Sequence, residues 1–288
     1  MSRGYGKAGQ IIQTGPIEVD LTLSNGIYYW APFDTAWDTT DETDELLAII
    51  EEAGATDLLT FFADEQANIA SLDSDYDVRF IYVRDKNFYL SLRDQKDFID
   101  WELNDVLDIN GWDMKKALQH FHKSNATLFE WSNSPVVYYT TDVWQRIYDK
   151  AKDYFACKSE LYHYYGTANK NYHEYLTGEL VKYKKYFYVL RPILACKWIE
   201  EKKCPPPVLF DELRNAVLED DMKPAVEDML AKKIRMSEAD KAPKIDLINR
   251  YIEEKLDYYK AMADTMADDR KTDWEPLEKL FIDNLNTN

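Results

Sequence analysis

The 288-residue sequence has no long hydrophobic run. No stretch approaches the roughly 20 consecutive apolar residues that a membrane-spanning helix needs. The first seven residues, MSRGYGK, lack the apolar core of a signal peptide, so we expect a cytoplasmic protein with no membrane segment. Hydrophobic residues nevertheless make up 45% of the sequence and aromatic residues 14%, which is enough to build cores and excludes a disordered chain.

Cysteine is scarce as well. Cys157, Cys196 and Cys204 form no CxxC pair and no zinc-ligand pattern with the four histidines. An odd number of cysteines without a secretion signal favours reduced, buried thiols. The sequence therefore indicates neither a disulfide framework nor a structural zinc site.

Basic residues are few in the first half of the chain. Residues 1–140 hold 25 acidic and 10 basic side chains, a balance of −15, whereas residues 141–288 hold 28 and 25, a balance of −3. The acidic first half argues against broad, non-specific nucleic-acid binding there. It suits metal binding or docking on a basic protein partner, and any nucleic acid would have to meet the second half.

The most informative stretch is DSDYDVRFIYV, residues 73–83. It begins as a polar turn and continues as a run of β-branched and aromatic residues that is typical of a strand. Alternate residues of a strand share a face, so Asp75 and Asp77 should project together. Two carboxylates at that spacing repel each other unless a cation lies between them, and a divalent metal fits. The alternative is a strand that follows an Asp-rich turn and binds nothing.

A second acidic strand is predicted at residues 106–109. Its Asp108 is flanked by the apolar Leu107 and Ile109. A lone carboxylate in such a setting is costly to bury unless something pairs with it. Asp108 is therefore the predicted third ligand of the metal site. Just beyond it, Asp113 is a good cap for a helix predicted over 114–122.

Turn, strand and helix signals divide the chain into three predicted parts: an N-terminal extension with a hairpin and linker, an α+β domain, and a helical domain, spanning 1–43, 44–140 and 141–288. The α+β domain combines strands with flanking helices, whereas the last part is helical almost throughout. In addition to the strand within 73–83, predicted strands cover 58–62, 97–103 and 106–109. Predicted helices cover 41–53, 114–122, 143–157, 158–176, 180–201, 210–218, 222–231 and 239–264.

Several segments together resemble the polymerase-β-type nucleotidyltransferases, and more narrowly the bacterial and phage family predicted to act in RNA repair. The resemblance covers residues 57–215 and implies a polymerase-β-like core, a mixed sheet with flanking helices, followed by an all-α domain. The segments are DSDYDVRFIYV, LDINGWDMKKAL, KSNATLFEWSNSPVVY, YHYYGTANKNYHEYL and KKYFYVLRPILACKWIEEKKCPPP.

The resemblance implies a reaction and a set of site residues. Asp75, Asp77 and Asp108 would hold two divalent metals, Mg²⁺ or Mn²⁺, with Asp108 as base or shared ligand near the acceptor hydroxyl. The reaction would transfer a nucleoside monophosphate from an NTP to an RNA 3′ end, a tRNA or another hydroxyl. Helical residues carried over as nucleotide-binding are Lys184, Lys185, Tyr188, Arg191, His163 and Asn171. The alternative for Lys185 is a solvated surface lysine, and for His163 a structural role.

The sequence departs from the family pattern at the phosphate-binding turn. Ala63 and Asp64 stand where the family has Gly-Ser, and Glu65 stands where it has Arg. Glycine lets the backbone approach phosphate, and Ser and Arg donate hydrogen bonds, whereas Asp and Glu add negative charge. Triphosphate binding should weaken unless Mg²⁺ or Lys7 compensates.

The function hypotheses therefore remain open. The first is an active nucleotidyltransferase. The second is a catalytically weakened relative that regulates by binding a nucleotide, RNA or protein. The third is an acidic interaction protein that mimics nucleic acid towards a basic partner.

Overall fold

The computed structural model describes residues 55–63, 76–104, 107–135, 137–235 and 240–285. The predicted extension over 1–43 and the helix over 41–53 lie outside the described residues. The chain forms two compact units: the first runs to Tyr154 and resumes at Lys271, and the second is Phe155–Arg270. This division differs from the predicted boundary after residue 140, because a helix beyond that boundary and the C-terminal helix pack within the first unit.

A five-stranded mixed sheet forms the centre of the first unit, with strand order β3-β4-β2-β1-β5. The strands are β1 (Ala55–Ala63), β2 (Tyr76–Arg84), β3 (Phe98–Asn104), β4 (Leu107–Asp113) and β5 (Val137–Thr140). β2 and β4 are parallel, and the other neighbouring strands are antiparallel. The sheet confirms the predicted α+β class with a mixed sheet. β5 was not predicted, although Val137 and its aromatic neighbours are typical strand residues.

Helices flank this sheet and make up most of the second unit. In chain order they are α1 (Lys86–Tyr89), α2 (Met114–His122), α3 (Ala126–Ser132), α4 (Asp142–Ala151), α5 (Cys157–Tyr175), α6 (Lys184–Lys202), α7 (Phe210–Val217), α8 (Lys223–Ile234), α9 (Asp246–Thr265) and α10 (Glu275–Leu285). α1 to α4 and α10 belong to the first unit, and α5 to α9 to the second. No helix of the described residues is both long enough and apolar enough to span a membrane.

Side-chain caps define where the helices of the first unit begin. Asp113 accepts a hydrogen bond from the Lys115 N–H at 2.8 Å, which confirms the predicted cap of α2. The Asn125 side chain accepts from the Leu128 N–H at 3.1 Å and starts α3. Each cap satisfies an N–H group that has no partner inside the helix.

The middle of β2 is buried on both faces. Phe80, Ile81, Tyr82 and Val83 are each 0% exposed. This explains the uninterrupted apolar run in the sequence, since a strand covered on both sides has no polar face. Gly111 of β4 is the register partner of Phe80, and a Cβ there would lie 2.1 Å from the Phe80 ring. Only glycine lets the ring lie against the neighbouring strand.

The second unit packs α6 against α5, α7 and α9. α6 contains Pro192, which has no N–H to donate to the Tyr188 carbonyl one turn earlier. The Asn171 side chain of α5 donates to that carbonyl instead, at 3.2 Å. A short antiparallel pair of strands, β6 (Leu180–Val181) and β7 (Ala242–Pro243), completes the unit.

Candidate active site

The register of the two parallel strands brings two of the three predicted carboxylate positions together. Asp77 of β2 pairs with Asp108 of β4, and both lie near the amino ends of their strands. Register partners on neighbouring strands share a face of the sheet, and adjacent strands are about 4.8 Å apart. Asp75 lies outside the described residues, as do the side chains of Asp77 and Asp108. The metal-binding roles of the three aspartates stay predictions.

The chemistry of these positions fits a magnesium or manganese ion. Both metals prefer hard oxygen ligands such as carboxylates, and the Asp77–Asp108 pair provides carboxylate residues on two adjacent strands. Among the side chains that the structure describes, no group of three or more His, Cys, Asp or Glu residues could hold a metal ion. Any metal site formed by Asp75, Asp77 and Asp108 would therefore use residues outside that set.

Arg79 lies two residues after Asp77, on the same face of β2, and was not among the predicted site residues. It is in register with Phe62 of β1 and Asn110 of β4. Its guanidinium lies over the Trp131 ring, 5.7 Å from the centroid, and its Nη1 donates to the Val78 carbonyl at 3.0 Å. Arg79 therefore places a half-buried cation beside the acidic pair.

Trp131 belongs to an aromatic cluster formed by β4 and the two helices that follow it. The ring centroids of Trp112 and Trp131 are 4.4 Å apart, and those of Trp112 and His120 are 4.7 Å apart. Trp131 is buried, whereas Trp112 is half-buried. Burial lowers the pKa of His120, and the nearby charge of Lys123 acts in the same direction. A neutral His120 therefore packs on Trp112 at physiological pH.

A second polar group lies at the carboxyl ends of the same strands. The Arg84 guanidinium is 3.4 Å from the Asp113 carboxylate, and the Tyr89 hydroxyl donates to that carboxylate at 2.9 Å. Arg84 is 4% exposed and Asp113 is 1% exposed. Burial raises the pKa of Asp113, although the Lys115 N–H, the Tyr89 hydroxyl and Arg84 all favour its charged form. This network caps a helix and fixes the strand ends.

The residues predicted on α5 and α6 fall into different environments. The Lys185 ammonium lies over two tyrosine rings, 4.0 Å from the Tyr175 centroid and 4.5 Å from that of Tyr188. Lys184 is half-buried on the same helix. Tyr175 was not singled out from the sequence, although it follows Asn171 by one turn of α5.

The other three predicted helical residues, Arg191, Asn171 and His163, differ in burial and in their contacts. Arg191 is only 7% exposed, and its Nε donates to the Val208 carbonyl at 2.9 Å. Asn171 donates to the Tyr188 carbonyl that Pro192 leaves without its helical partner. His163 is exposed, with its ring edge-on to Tyr164 at 5.2 Å. Arg191 is buried whereas Lys184 and Tyr188 are half-buried, and the nucleotide-binding roles of the helical residues stay predictions.

Comparison with known proteins finds a solved structure and a curated protein that each align with most of the chain. A nucleotidyltransferase-like protein from Exiguobacterium sibiricum 255-15 aligns with 12% sequence identity and a TM-score of 0.29, over 78% of this chain and 75% of that one. A similarity that low supports no functional argument. Protein YcgL of Bacillus subtilis (strain 168) is 38% identical over 248 residues, which cover 84% of this chain and 94% of YcgL.

The region matched by a known family includes the strand that carries Asp77 and most of the mixed sheet. The sequence matches the RNA repair pathway DNA polymerase beta family over residues 69–283, which include β2, β4 and nearly all of the described helices. That span is well over half of the chain. The chain belongs to the RNA repair pathway DNA polymerase beta family.

Proposed function

We propose that the protein is a magnesium-dependent nucleotidyltransferase that transfers a nucleoside monophosphate from an NTP to a hydroxyl group at an RNA end. The observation that carries this proposal is the parallel register that pairs Asp77 with Asp108. Family membership supports a general nucleotidyltransferase role and a nucleotide substrate. The metal, the RNA end and the roles of individual residues are the proposed part.

The proposed metal ligands are Asp75, Asp77 and Asp108, which would hold two Mg²⁺ or Mn²⁺ ions. When bound, the ions would supply charge stabilisation at the phosphate oxygens and lower the pKa of the attacking hydroxyl. Asp108 accepts the proton of that hydroxyl. The hydroxyl oxygen bonds to the α-phosphorus, the bond from that phosphorus to the bridging oxygen breaks, and pyrophosphate leaves with its electron pair.

The sheet holds the acidic positions in place before any ligand arrives. β2 is fully buried through its middle, and the Phe80 ring locks against Gly111 of β4. The Arg84–Asp113 ion pair ties the far ends of the same strands together. Preorganised groups need no rearrangement when charge develops in the transition state, which is the main source of catalysis in phosphoryl transfer.

One observation favours the second candidate, a catalytically weakened relative that binds nucleotide or RNA and acts as a regulator. Ala63, at the position of the family's glycine, is still part of β1 and pairs in register with Val78. A strand residue carrying a Cβ offers less room for phosphate than a glycine turn does. This candidate predicts ligand binding with no transfer.

The test is an incorporation assay with the full chain, Mg²⁺ or Mn²⁺, each labelled NTP in turn and a mixed RNA pool. We expect incorporation by the wild type and its loss in Asp77→Asn and in Asp108→Asn. The matched control is Asp94→Asn, which removes one exposed carboxylate outside the sheet and should leave the rate unchanged. Nucleotide binding without incorporation would favour the regulator, and absence of both would exclude the two candidates together.

A further inference from the structure

We infer that Arg79 binds the phosphates of the incoming nucleoside triphosphate and supplies positive charge that the missing Gly-Ser-Arg turn does not. The inference rests on the proposed function and deepens it. It names a binding residue that sequence reasoning did not find and explains how an acidic site could accept a polyanion.

The register of the sheet places Arg79 near the acidic pair. It lies two residues from Asp77 on the same face of β2, and its register partner on β1 is Phe62, the residue before Ala63. Its partner on β4 is Asn110, two residues from Asp108. Arg79 is therefore next to both the acidic pair and the end of β1, where the family's phosphate-binding turn would begin.

Basic residues are few on the strands around the acidic pair. In the parts of β1, β2 and β4 that the structure describes, Arg79 and Arg84 are the basic residues. Arg84 is buried at the opposite ends of the strands, where Asp113 neutralises it. A triphosphate beside two or three carboxylates needs cations in addition to metal ions. Of these two residues, Arg79 is the one on the same face as Asp77 and near the same ends of the strands.

The Trp131 ring supports the guanidinium of Arg79. Trp131 is 5% exposed and lies against Trp112, so the indole under the guanidinium is itself fixed. A guanidinium over an aromatic face is attracted through its plane, while its N–H donors are directed outward from the edges of that plane. Arginine binds phosphate oxygens with two parallel hydrogen bonds in this way. The Trp131 ring and the Val78 carbonyl, which accepts from Nη1 at 3.0 Å, together hold the guanidinium in place.

The test compares Arg79→Gln, Arg79→Lys and the wild type in the full chain. Calorimetry measures the affinity for inorganic tripolyphosphate with Mg²⁺, a probe that carries no base, and paramagnetic resonance measures the affinity for Mn²⁺ alone. We expect Arg79→Gln to weaken tripolyphosphate binding about ten- to hundredfold, the range for hydrogen bonds to a charged group. Mn²⁺ binding should be unchanged or tighter, since a repelling cation has been removed.

Two variants make the result specific. Arg79→Lys should recover part of the affinity, because it keeps the charge and loses the paired donors. Arg93→Gln removes an exposed positive charge from the loop between α1 and β3 and should bind as the wild type does.

Three results would overturn the inference: equal tripolyphosphate affinity in Arg79→Gln and wild type, a parallel loss of Mn²⁺ binding with a lowered melting temperature, or no tripolyphosphate binding by the wild type. If the wild type transfers nucleotides and Arg79→Gln keeps the same KM, this inference fails while the proposed function stands. If tripolyphosphate binding depends on Arg79 but the wild type transfers no nucleotide, the inference stands and the proposed function fails.

Discussion

At the carboxyl ends of β2 and β4, Asp113 meets the Arg84 guanidinium, whereas at the amino ends of the same strands Asp77 is in register with a second aspartate, Asp108. The first carboxylate has its partners within the fold: a cation, the Tyr89 hydroxyl and the Lys115 N–H. The second arrangement brings together residues of like charge. Arg79 is one cation near two acidic positions, so a cationic ligand such as a divalent metal is the natural source of further positive charge.

The difference shows how one pair of strands separates structural from functional carboxylates. A buried opposite-charge pair is costly to break, because removing one partner leaves the other charged and unsolvated. A like-charge pair is costly to keep, so removing one partner should relieve the fold and harm only ligand binding. Substitution of Asp113 should therefore lower the free energy of unfolding, whereas substitution of Asp77 should lower activity without lowering the free energy of unfolding.

The largest expected effect is on activity at the amino ends. Asp77→Asn should lower NMP incorporation at least about a thousandfold, since a neutral amide is a poor ligand for a divalent metal. The free energy of unfolding should stay equal or rise, because the repulsion from Asp108 is removed. Incorporation rates and urea denaturation of the same preparation measure both. A large loss of stability together with activity would make Asp77 a structural residue and would remove the contrast.

The next effect is on stability at the carboxyl ends. Asp113→Ala should lower the free energy of unfolding by about 3–5 kcal/mol, because Arg84 would stay buried without the carboxylate that neutralises its charge. The loss of the α2 cap adds to this cost.

The matched control for Asp113→Ala is Asp97→Ala. Asp97 pairs with Lys116 at 3.1 Å but is 54% exposed, so its removal should cost less than about 1 kcal/mol. Denaturant titration compares the variants. Similar losses of unfolding free energy in Asp97→Ala and Asp113→Ala would mean that burial does not determine how much the Arg84–Asp113 pair contributes to stability.

The sequence predicts one end of this comparison better than the other. The β2 strand and the Asp113 cap could be predicted because each depends on local signals: an apolar run, and an aspartate placed before a helical pattern. Arg84 could not be paired with Asp113 from the sequence, since 29 residues separate them and only the parallel register brings them together. Asp108 was predicted to join Asp75 and Asp77 because it is a lone carboxylate between apolar residues, and the family resemblance pointed to the same three positions.

The elements that were missed have physical reasons in common. α3 is seven residues long, which is too short for helical periodicity to emerge. β6 and β7 lie in segments predicted as the first turns of helices 180–201 and 239–264, which instead begin at Lys184 and Asp246; each strand has two residues and depends on a partner about 60 residues away along the chain. Arg79 was missed because its interpretation depends on Trp131, which lies about 50 residues further along the chain and contacts it only in the folded protein. Signals of this kind exist in the tertiary structure alone.

A smaller effect tests the packing that holds the two ends in register. Gly111→Ala would place a methyl group against the Phe80 ring, which must then move. Overpacking of this kind costs about 1–3 kcal/mol. We expect a lower free energy of unfolding and a partial loss of incorporation, since β2 and β4 would shift relative to each other. Unchanged stability would show that the Phe80 ring can turn away, and that the close contact with β4 is not required.

The smallest effect extends the comparison to a carboxylate in the second unit. Burial raises the pKa of Glu219, but hydrogen bonds from Lys197, Lys255 and Tyr251 outweigh it and lower the pKa to about 2, from a usual 4.5. A carboxylate with a lowered pKa in the folded state stabilises the fold above its ordinary pKa, and this stability is lost as pH falls from 4.5 towards 2. Glu219→Gln should therefore be less stable than the wild type at pH 7, with the gap closing on acidification. The free energy of unfolding measured from pH 7 to pH 3 follows the gap; if it stays constant, the charge of Glu219 does not hold these helices together.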